Sequence, residues 1–522
     1  MNGRTRTQNS IRNITVSLAM QCVSTLIAFV GRTFFVKILG REYLGVSGLF
    51  SNILSVLALA EMGVGSAIVF SLYKPLAERD EGRIRALMAL YKRAYTAIGA
   101  FVLVAGCSLA PFIGFFVKKV PNIPHFRLIY VLFAVNNAAV YFASYKAALI
   151  NADQNQYITA SLRQFLSLVM NAVQIAVLYA AHSYILYLAV MIVFTVLQNL
   201  ALCAVADRLY PFLKKKNPPP LPSDERSVIV RNVRAMLMHK VGGVAVDCTD
   251  NILISKLVGV AAVGLYSNYY LVVRTLRTLT DTLFTSLVSS VGNLGATQGK
   301  DKIFENFRAV NLAVSYVSAL CFVCLFNLFS RFISLWLGGD YLLSGALTFV
   351  ICLNFYLTSM RTGLLVFRSA LGLFYCDRFK AVFEAVVNLV VSVVLGKMYG
   401  VLGILTGTAV STVCVCLVFE PCVVIGHALG ESVPKYYLGY FLNFALTLSI
   451  AYLVRFVLSD LHIGGVFGFF VSAAVSLAVP SAVFWVIFRN TEEFKIFKLM
   501  FKNIRKCQGR RRNVRHHTGE RF

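Results

Sequence analysis

Charged side chains lie inside apolar stretches of this chain, and they are its best candidates for chemistry. An ionisable group inside hydrocarbon is costly unless it faces water or a partner, so each is a candidate functional residue. Buried arginine suits an anionic ligand such as a phosphate, whereas a cationic ligand needs buried carboxylates. The cations assigned to ligand binding are Arg32, Arg274, Arg277 and Arg361. The residues assigned to ion coupling or to charge balance are Glu61, Lys240, Asp247, Asp250 and Asp281.

The spacing of Arg274, Arg277 and Asp281 places all three on one face of a helix. At 1.5 Å per residue from a helix start near residue 260, Arg274 lies roughly 21 Å into the membrane. One hypothesis is that this face lines a cavity for the ligand. The alternative is that Arg277 and Asp281 only neutralise each other, and that alternative leaves Arg274 without a partner.

Lys240, Asp247 and Asp250 share a face of the preceding predicted helix. The two carboxylates either bind a coupling ion, Na⁺ or H⁺, or neutralise a buried arginine, and we favour the second interpretation. The predicted depths of Arg32 and Glu61 differ too much for a direct ion pair, so each is expected to have another partner or water.

The composition predicts an all-α polytopic membrane protein. Of 522 residues, 58% are hydrophobic and only 14% charged, and the mean hydropathy is +0.72. A soluble chain with so few charges could not cover its surface, and disorder or a fibrous repeat is equally excluded. Stretches of about 20 apolar residues are long enough to span a bilayer as helices. Fourteen spans are predicted, at residues 13–38, 43–72, 93–117, 128–150, 158–181, 183–204, 238–258, 260–290, 309–336, 343–371, 379–398, 400–426, 437–457 and 462–488.

The distribution of basic residues predicts the orientation. The net charge is +27, and 35 of the 50 Lys and Arg residues fall at the predicted inner ends of the spans. Because cytoplasmic loops collect Lys and Arg, both termini are expected to be cytoplasmic. The same rule accounts for the basic excess without a nucleic-acid partner. The basic tail is expected to contact anionic membrane lipids.

A segment rich in proline and lysine, residues 205–226, divides the predicted spans. The predicted organisation is a six-helix lobe at 1–204, this cytoplasmic linker, a second six-helix lobe at 227–430, an extra helix pair at 431–488 and a basic cytoplasmic tail at 489–522. The lobes share a pattern, since Lys37-x-x-Gly40-x4-Gly45 recurs as Lys256-x-x-Gly259-x4-Gly264. Six spans per lobe make this a parallel repeat, the arrangement of transporters with two lobes around a central cavity.

No nucleotide-binding loop, catalytic triad or metal-ligand spacing occurs in the sequence. The protein is therefore expected to be no enzyme and to use no metal or cofactor. Its energy source is expected to be an ion gradient, the membrane potential or the gradient of its cargo.

Several motifs resemble those of one family. They are the segment Phe-Val-Lys-Ile-Leu-Gly-Arg-Glu-Tyr-Leu-Gly at the end of the first span, Leu-Ala-Glu-Met-Gly-Val-Gly-Ser-Ala at 59–67, Asp-Asn-Ile-Leu-Ile-Ser at 250–255 and Gly-Leu-Tyr-Ser-Asn at 264–268. Together they resemble bacterial polysaccharide (O-antigen) repeat-unit flippases of the Wzx type, in the multidrug/oligosaccharidyl-lipid/polysaccharide exporter superfamily. The resemblance implies two lobes around a cationic cavity and alternating access.

The resemblance also implies a cargo, which is an undecaprenyl-diphosphate-linked oligosaccharide carried from the inner to the outer leaflet of a bacterial cell membrane. Glycan polymerase machinery is an implied partner. The two extra C-terminal spans resemble those of lipid II flippases, so a lipid II-type flippase is one alternative. A drug/cation antiporter of the MATE type, from the same superfamily, is the other.

Overall fold

The computed structural model describes most of the chain. The described residues are 6–57, 61, 64–153, 155–215, 218–222, 227, 229, 248–285, 287–288, 291, 299–373, 379–460, 464–496 and 498. Within these ranges every regular element is a helix, which confirms the all-α class.

The described helices are numbered in the order in which they occur along the chain. The N-terminal helices are α1 (Arg6–Leu57), α2 (Val64–Glu78), α3 (Glu81–Leu109), α4 (Phe126–Ala152), α5 (Gln156–Ala181) and α6 (Tyr184–Leu209). Residues 248–257 are also helical. The helices that follow are α7 (Val260–Thr285), α8 (Lys300–Leu337), α9 (Gly345–Met360), α10 (Thr362–Ala370), α11 (Lys380–Tyr399), α12 (Val401–Ser411), α13 (Leu417–Pro421), α14 (Val433–Asp460) and α15 (Gly465–Phe488).

Ten helical segments of the described chain are long and apolar enough to cross a membrane. They coincide with ten of the fourteen predicted spans, the third to sixth and the ninth to fourteenth. The other four predicted spans, 13–38, 43–72, 238–258 and 260–290, overlap α1, α2, the 248–257 helix and α7. Parts of the last three lie outside the described residues. The protein is a multi-pass membrane protein, as its hydropathy predicts.

Local sequence signals explain several helix boundaries. Asp80 caps α3, because its carboxylate accepts a hydrogen bond from the Arg83 amide at 2.9 Å. Ser183 and Ser344 cap α6 and α9 in the same way. Glu420 lies in the short α13 between two π-helical segments, Thr412–Cys416 and Cys422–Leu429. Such π-helical turns shift the register of a helix and are frequent at functional sites.

The two copies of the glycine motif pack against each other. A Cβ atom on Gly45 would lie 1.9 Å from the carbonyl oxygen of Val260, and one on Gly264 would lie 2.1 Å from that of Arg41. Each glycine thus faces the carbonyl four residues before the other glycine. This reciprocity is typical of a local two-fold contact, and it explains why both positions lack a side chain: the backbones of α1 and α7 touch there.

The described chain clusters in space into two compact units. The first unit contains residues 1–267 and 392–404, and the second contains 268–391 and 405–522. This boundary differs from the linker at 205–226 in the sequence analysis, because the backbone contact at Gly45 and Gly264 holds the start of α7 in the first unit. The division into two six-helix lobes and an extra pair stays a prediction.

Each unit has its own buried core. In the first unit, residues of α3 such as Leu87, Tyr91 and Tyr95 pack with Tyr141 of α4. In the second unit, Phe307 and Val310 of α8 pack with Phe367 of α10. These cores hold the helices that carry the charged side chains described next.

Candidate functional site

α7 carries the cationic face that its spacing predicts. Arg274 is exposed, and Arg277 Nε lies 3.8 Å from Asp281 Oδ2, with both side chains 47% exposed. The intrahelical pair is therefore present, but so exposed a pair contributes little stability. In the described part of the chain, no carboxylate oxygen lies within 4.0 Å of the Arg274 guanidinium. The positive charge of Arg274 is thus not neutralised by any carboxylate of the described chain.

Arg32 of α1 is held by a neutral group. Its Nη1 donates to Ser267 Oγ at 3.3 Å, and that hydroxyl donates to the carbonyl of Gly264 at 2.9 Å. Phe35, one turn along α1, packs edge-on against the rings of Tyr184 and Tyr187. Among the described residues, Arg32 makes no ion pair with a carboxylate. We expected Arg32 to have a partner other than Glu61, and in the described chain that partner is the hydroxyl of Ser267. Aromatic side chains pack beside this stretch of α1.

Arg361 lies in the turn between α9 and α10 and belongs to a four-charge network in the second unit. Its Nε and Nη2 donate to both oxygens of Glu420, and its Nη1 lies 3.5 Å from Glu384 Oε1. Lys380 Nζ contacts Glu420 Oε1 at 2.5 Å. Two cations face two carboxylates, so the network is neutral. The sequence analysis placed Arg361 with the ligand-binding cations, and the structure shows its charge to be balanced inside the protein.

Glu61 accepts a hydrogen bond from a tyrosine. The Tyr95 hydroxyl donates to Glu61 Oε1 at 2.8 Å, and the ring of Tyr95 stacks on Tyr91 at 5.2 Å. The Tyr91 hydroxyl donates to the carbonyl of Gly65. Glu61 and Arg32 do not form an ion pair with each other, which agrees with the difference in their predicted depths. A half-buried carboxylate held by one hydroxyl keeps acceptor capacity for a proton or a cation.

The remaining predicted residues are only partly covered by the structure. Asp250 is half-buried in the 248–257 helix and takes part in a further interaction. Lys240 and Asp247 lie outside the described residues. Within the described ranges, no group of three His, Cys, Asp or Glu side chains is arranged to hold a metal ion.

The network around Arg361 was not predicted from the sequence. Glu384, Glu420 and Lys380 are not among the predicted site residues. Opposite charges in the inner halves of neighbouring predicted spans are the signal that could have suggested the pairing. The choice of partner depends on helix packing, which hydropathy does not report.

No protein-family model and no curated protein sequence matches the chain. Solved structures, in contrast, share its fold. A lipid II flippase, MurJ, in an inward closed conformation matches with a TM-score of 0.66 at 10% identity, over 92% of this chain and 99% of that chain. An inward-facing multidrug resistance transporter of the MATE family, in the MOP superfamily, matches with a TM-score of 0.62 at 12% identity, over 80% and 99%.

A MOP superfamily transporter from Pyrococcus furiosus also matches, with a TM-score of 0.54 at 14% identity, over 80% of this chain and 96% of that chain. At sequence identities this low, the structural similarity shows a common fold and nothing more specific. The chain therefore has the fold that these flippase and transporter structures share. The repeat-unit flippase subtype stays a prediction.

Proposed function

We propose that this protein is a flippase that carries an undecaprenyl-diphosphate-linked oligosaccharide from the inner to the outer leaflet by alternating access. The observation that carries the proposal is the exposed Arg274 on α7, which has no carboxylate within 4.0 Å among the described residues. A diphosphate brings negative charge that must be compensated in a low-dielectric surrounding. Arg274 and Arg277 supply that compensation, with Arg32 as a further cation.

The fold supports a lipid-linked cargo. The match to the lipid II flippase leaves less than a tenth of the chain unmatched. Because residues 433–522 make up more than a tenth, that match extends into the C-terminal helices α14 and α15. A lipid II-type flippase is accordingly an alternative, which differs from the main proposal in the glycan and not in the diphosphate chemistry.

A drug/cation antiporter of the MATE type fits less well. Cationic cargo needs carboxylates that are free to bind it. In the second unit, Glu384 and Glu420 are engaged by Arg361 and Lys380. Those two acids are therefore poor cation sites, and the exposed charges of α7 include more cations than anions.

The test is translocation of a labelled polyprenyl-diphosphate oligosaccharide in proteoliposomes containing the purified protein. We expect Arg274→Gln to slow transport about tenfold or more, since a hydrogen bond to a charged group is lost. Arg274→Lys is expected to retain part of the activity, because the charge remains while the guanidinium fork is lost. Lys302→Gln is the matched control, since Lys302 is an exposed cation whose ion pair within the described chain is with Glu305 on its own helix.

Two results would contradict the proposal. The first is wild-type transport by Arg274→Gln at equal reconstitution. The second is transport of an organic cation, but not of the lipid-linked oligosaccharide, which would favour the antiporter.

For energy coupling, we propose a Na⁺ or H⁺ site at Glu61 or Asp250, with Lys240, Asp247 and Asp281 in charge-balancing roles. Support comes from Glu61, whose one hydrogen-bond donor among the described residues is the Tyr95 hydroxyl. Glu61→Gln should abolish the dependence of transport on the ion gradient while leaving cargo binding intact. An unchanged gradient response would remove Glu61 from this role, and Asp250→Asn would then be the variant to measure.

The proposed setting is the inner membrane of a bacterium, beside glycan polymerase machinery that consumes the exported units. This setting and this partner are the ones that the resemblance to repeat-unit flippases implies. Co-purification of a polymerase with the full chain, from cells that express both, tests the partnership.

A further inference from the structure

A basic cavity lies within the first unit, and its described lining contains none of the charged residues discussed above. Its volume is about 850 Å³, and it lies beside α3, α4, the end of α6 and the short 3₁₀ helix Pro211–Lys214. The basic side chains that line it are Arg85, Lys92, Arg93, Lys146, Lys214 and Lys215. Among its described lining residues, Asp207 is the one carboxylate.

The charges of this cavity are only partly balanced. Lys146 Nζ lies 2.7 Å from Asp207 Oδ1, and Lys215 pairs with Glu81 at 3.8 Å. For Lys92, Arg93 and Lys214, the described chain provides no carboxylate within 4.0 Å. Three positive charges that line this concave volume therefore have no ion-pair partner in the described chain.

The cavity is assembled from segments that are distant in the sequence. Arg85 Nη2 donates to the carbonyl of Lys215 at 3.1 Å, across 130 residues. This bond and the Lys215–Glu81 pair hold residues 211–215 against α3, so that Lys214 lines the same volume as Lys92. The rule that inner loops collect basic residues explains their number. It does not explain their convergence on one cavity.

The polarity of the wall changes along α3. From Arg85 to Ala100 the helix rises by about 22 Å at 1.5 Å per residue. The cations occupy the first part, whereas the lining residues further on are Thr96, Ala97 and Ala100, which are small and exposed. A site with cations at one end and a small, mainly apolar groove at the other suits an amphipathic anion better than a free inorganic one.

We propose that this cavity binds a phosphate group carried on a membrane lipid. Lys92, Arg93 and Lys214 contact the phosphate, and the lipid chain lies along Thr96, Ala97 and Ala100. This inference goes beyond the proposed function, because it concerns a site within the first unit and not the cationic face of α7. Two sources share the chemistry: an anionic phospholipid of the inner leaflet and the diphosphate of a polyprenyl-linked cargo.

The test is the binding of a fluorescent phosphatidylglycerol to the purified full chain in neutral detergent, followed by anisotropy. Phosphatidylcholine with the same label, which has no net charge, is the lipid control. We expect Lys92→Gln/Arg93→Gln to weaken phosphatidylglycerol binding about tenfold, because the protein loses two of the cations proposed to contact the phosphate of the headgroup. Lys300→Gln/Lys302→Gln, which removes two exposed cations from the start of α8, should leave binding unchanged.

Competition distinguishes the sources. Unlabelled polyprenyl diphosphate and unlabelled phosphatidylglycerol should both displace the probe, and the one that acts at lower concentration is assigned as the ligand. Displacement by inorganic pyrophosphate at the same concentrations would overturn the role of the lipid chain. Equal binding by the Lys92/Arg93 variant and the wild type would overturn the site. Flipping by the Arg274 variants is measured separately, so failure here leaves the proposed function standing.

Discussion

Arg361 and Glu420 form a bidentate ion pair in the interior of the second unit. Nη2 of the guanidinium donates to Oε1 of the carboxylate at 2.7 Å, and Nε donates to Oε2 at 3.0 Å. Arg361 is 9% and Glu420 only 1% exposed. Such a fork–fork pair fixes both side chains in position as well as neutralising them. The pair joins the turn between α9 and α10 to α13.

Removing one member of this pair should be strongly destabilising. Glu420→Gln leaves Arg361 and Lys380 facing Glu384 alone, so one buried positive charge loses its partner. We expect a loss of about 3–5 kcal/mol in the free energy of unfolding. The measurement is thermal unfolding of the purified variant in detergent.

The double variant Arg361→Gln/Glu420→Gln separates charge balance from packing. It leaves Lys380 and Glu384, so the network is neutral again. Its loss of stability should be smaller than the sum of the two single losses. Glu492→Gln is the control, because the Glu492 side chain is 73% exposed and, among the described residues, forms an ion pair with Lys495 on the surface. Strictly additive losses would contradict the network described here.

The contact between the repeated glycines should not tolerate a methyl group. Gly45→Ala or Gly264→Ala places a Cβ about 2 Å from a backbone carbonyl oxygen, which forces α1 and α7 apart. We expect each substitution to cost at least about 1–3 kcal/mol of stability. Gly439→Ala in α14 is the control, because a Cβ there has no atom within 4 Å. Equal unfolding temperatures for Gly45→Ala and Gly439→Ala would argue against the close crossing.

The hydrogen bond from Tyr95 to Glu61 should be measurable in stability. Tyr95→Phe removes a donor to a carboxylate, which costs about 1.5–3 kcal/mol when that group is charged. The measurement is thermal unfolding of the purified variant in detergent. Tyr452→Phe, at an exposed ring packed on Phe326, serves as the control. Equal unfolding temperatures for Tyr95→Phe and Tyr452→Phe would argue against a stabilising role for this bond.

Orientation is testable with single cysteines in a background without native cysteine. Cysteine at the exposed Lys119, between α3 and α4, should react with a membrane-impermeant thiol reagent in intact cells. Cysteine at the exposed Asp301, near the start of α8, should react only after permeabilisation. The expectation rests on the basic inner ends of the spans. The reverse labelling pattern would place both termini outside.

The repeat around the glycines could be predicted from the sequence, but the contact between its two copies could not. Spacing alone relates Gly45 to Gly264. Only the structure shows that these two glycines meet each other, because contact between residues so far apart depends on how α1 and α7 cross.

The sequence by itself determined the spans, since partition of a helix into a membrane depends on the residues of that helix alone. Ten predicted spans recur as helices for this reason. It also identified the charges that need partners, such as Arg361 and Glu61. The tertiary structure decided the partners: Glu420 for Arg361, Tyr95 for Glu61 and Ser267 for Arg32. Each choice depends on which helix faces lie together, because hydrogen bonds and ion pairs act over a few ångströms between segments that the sequence separates widely.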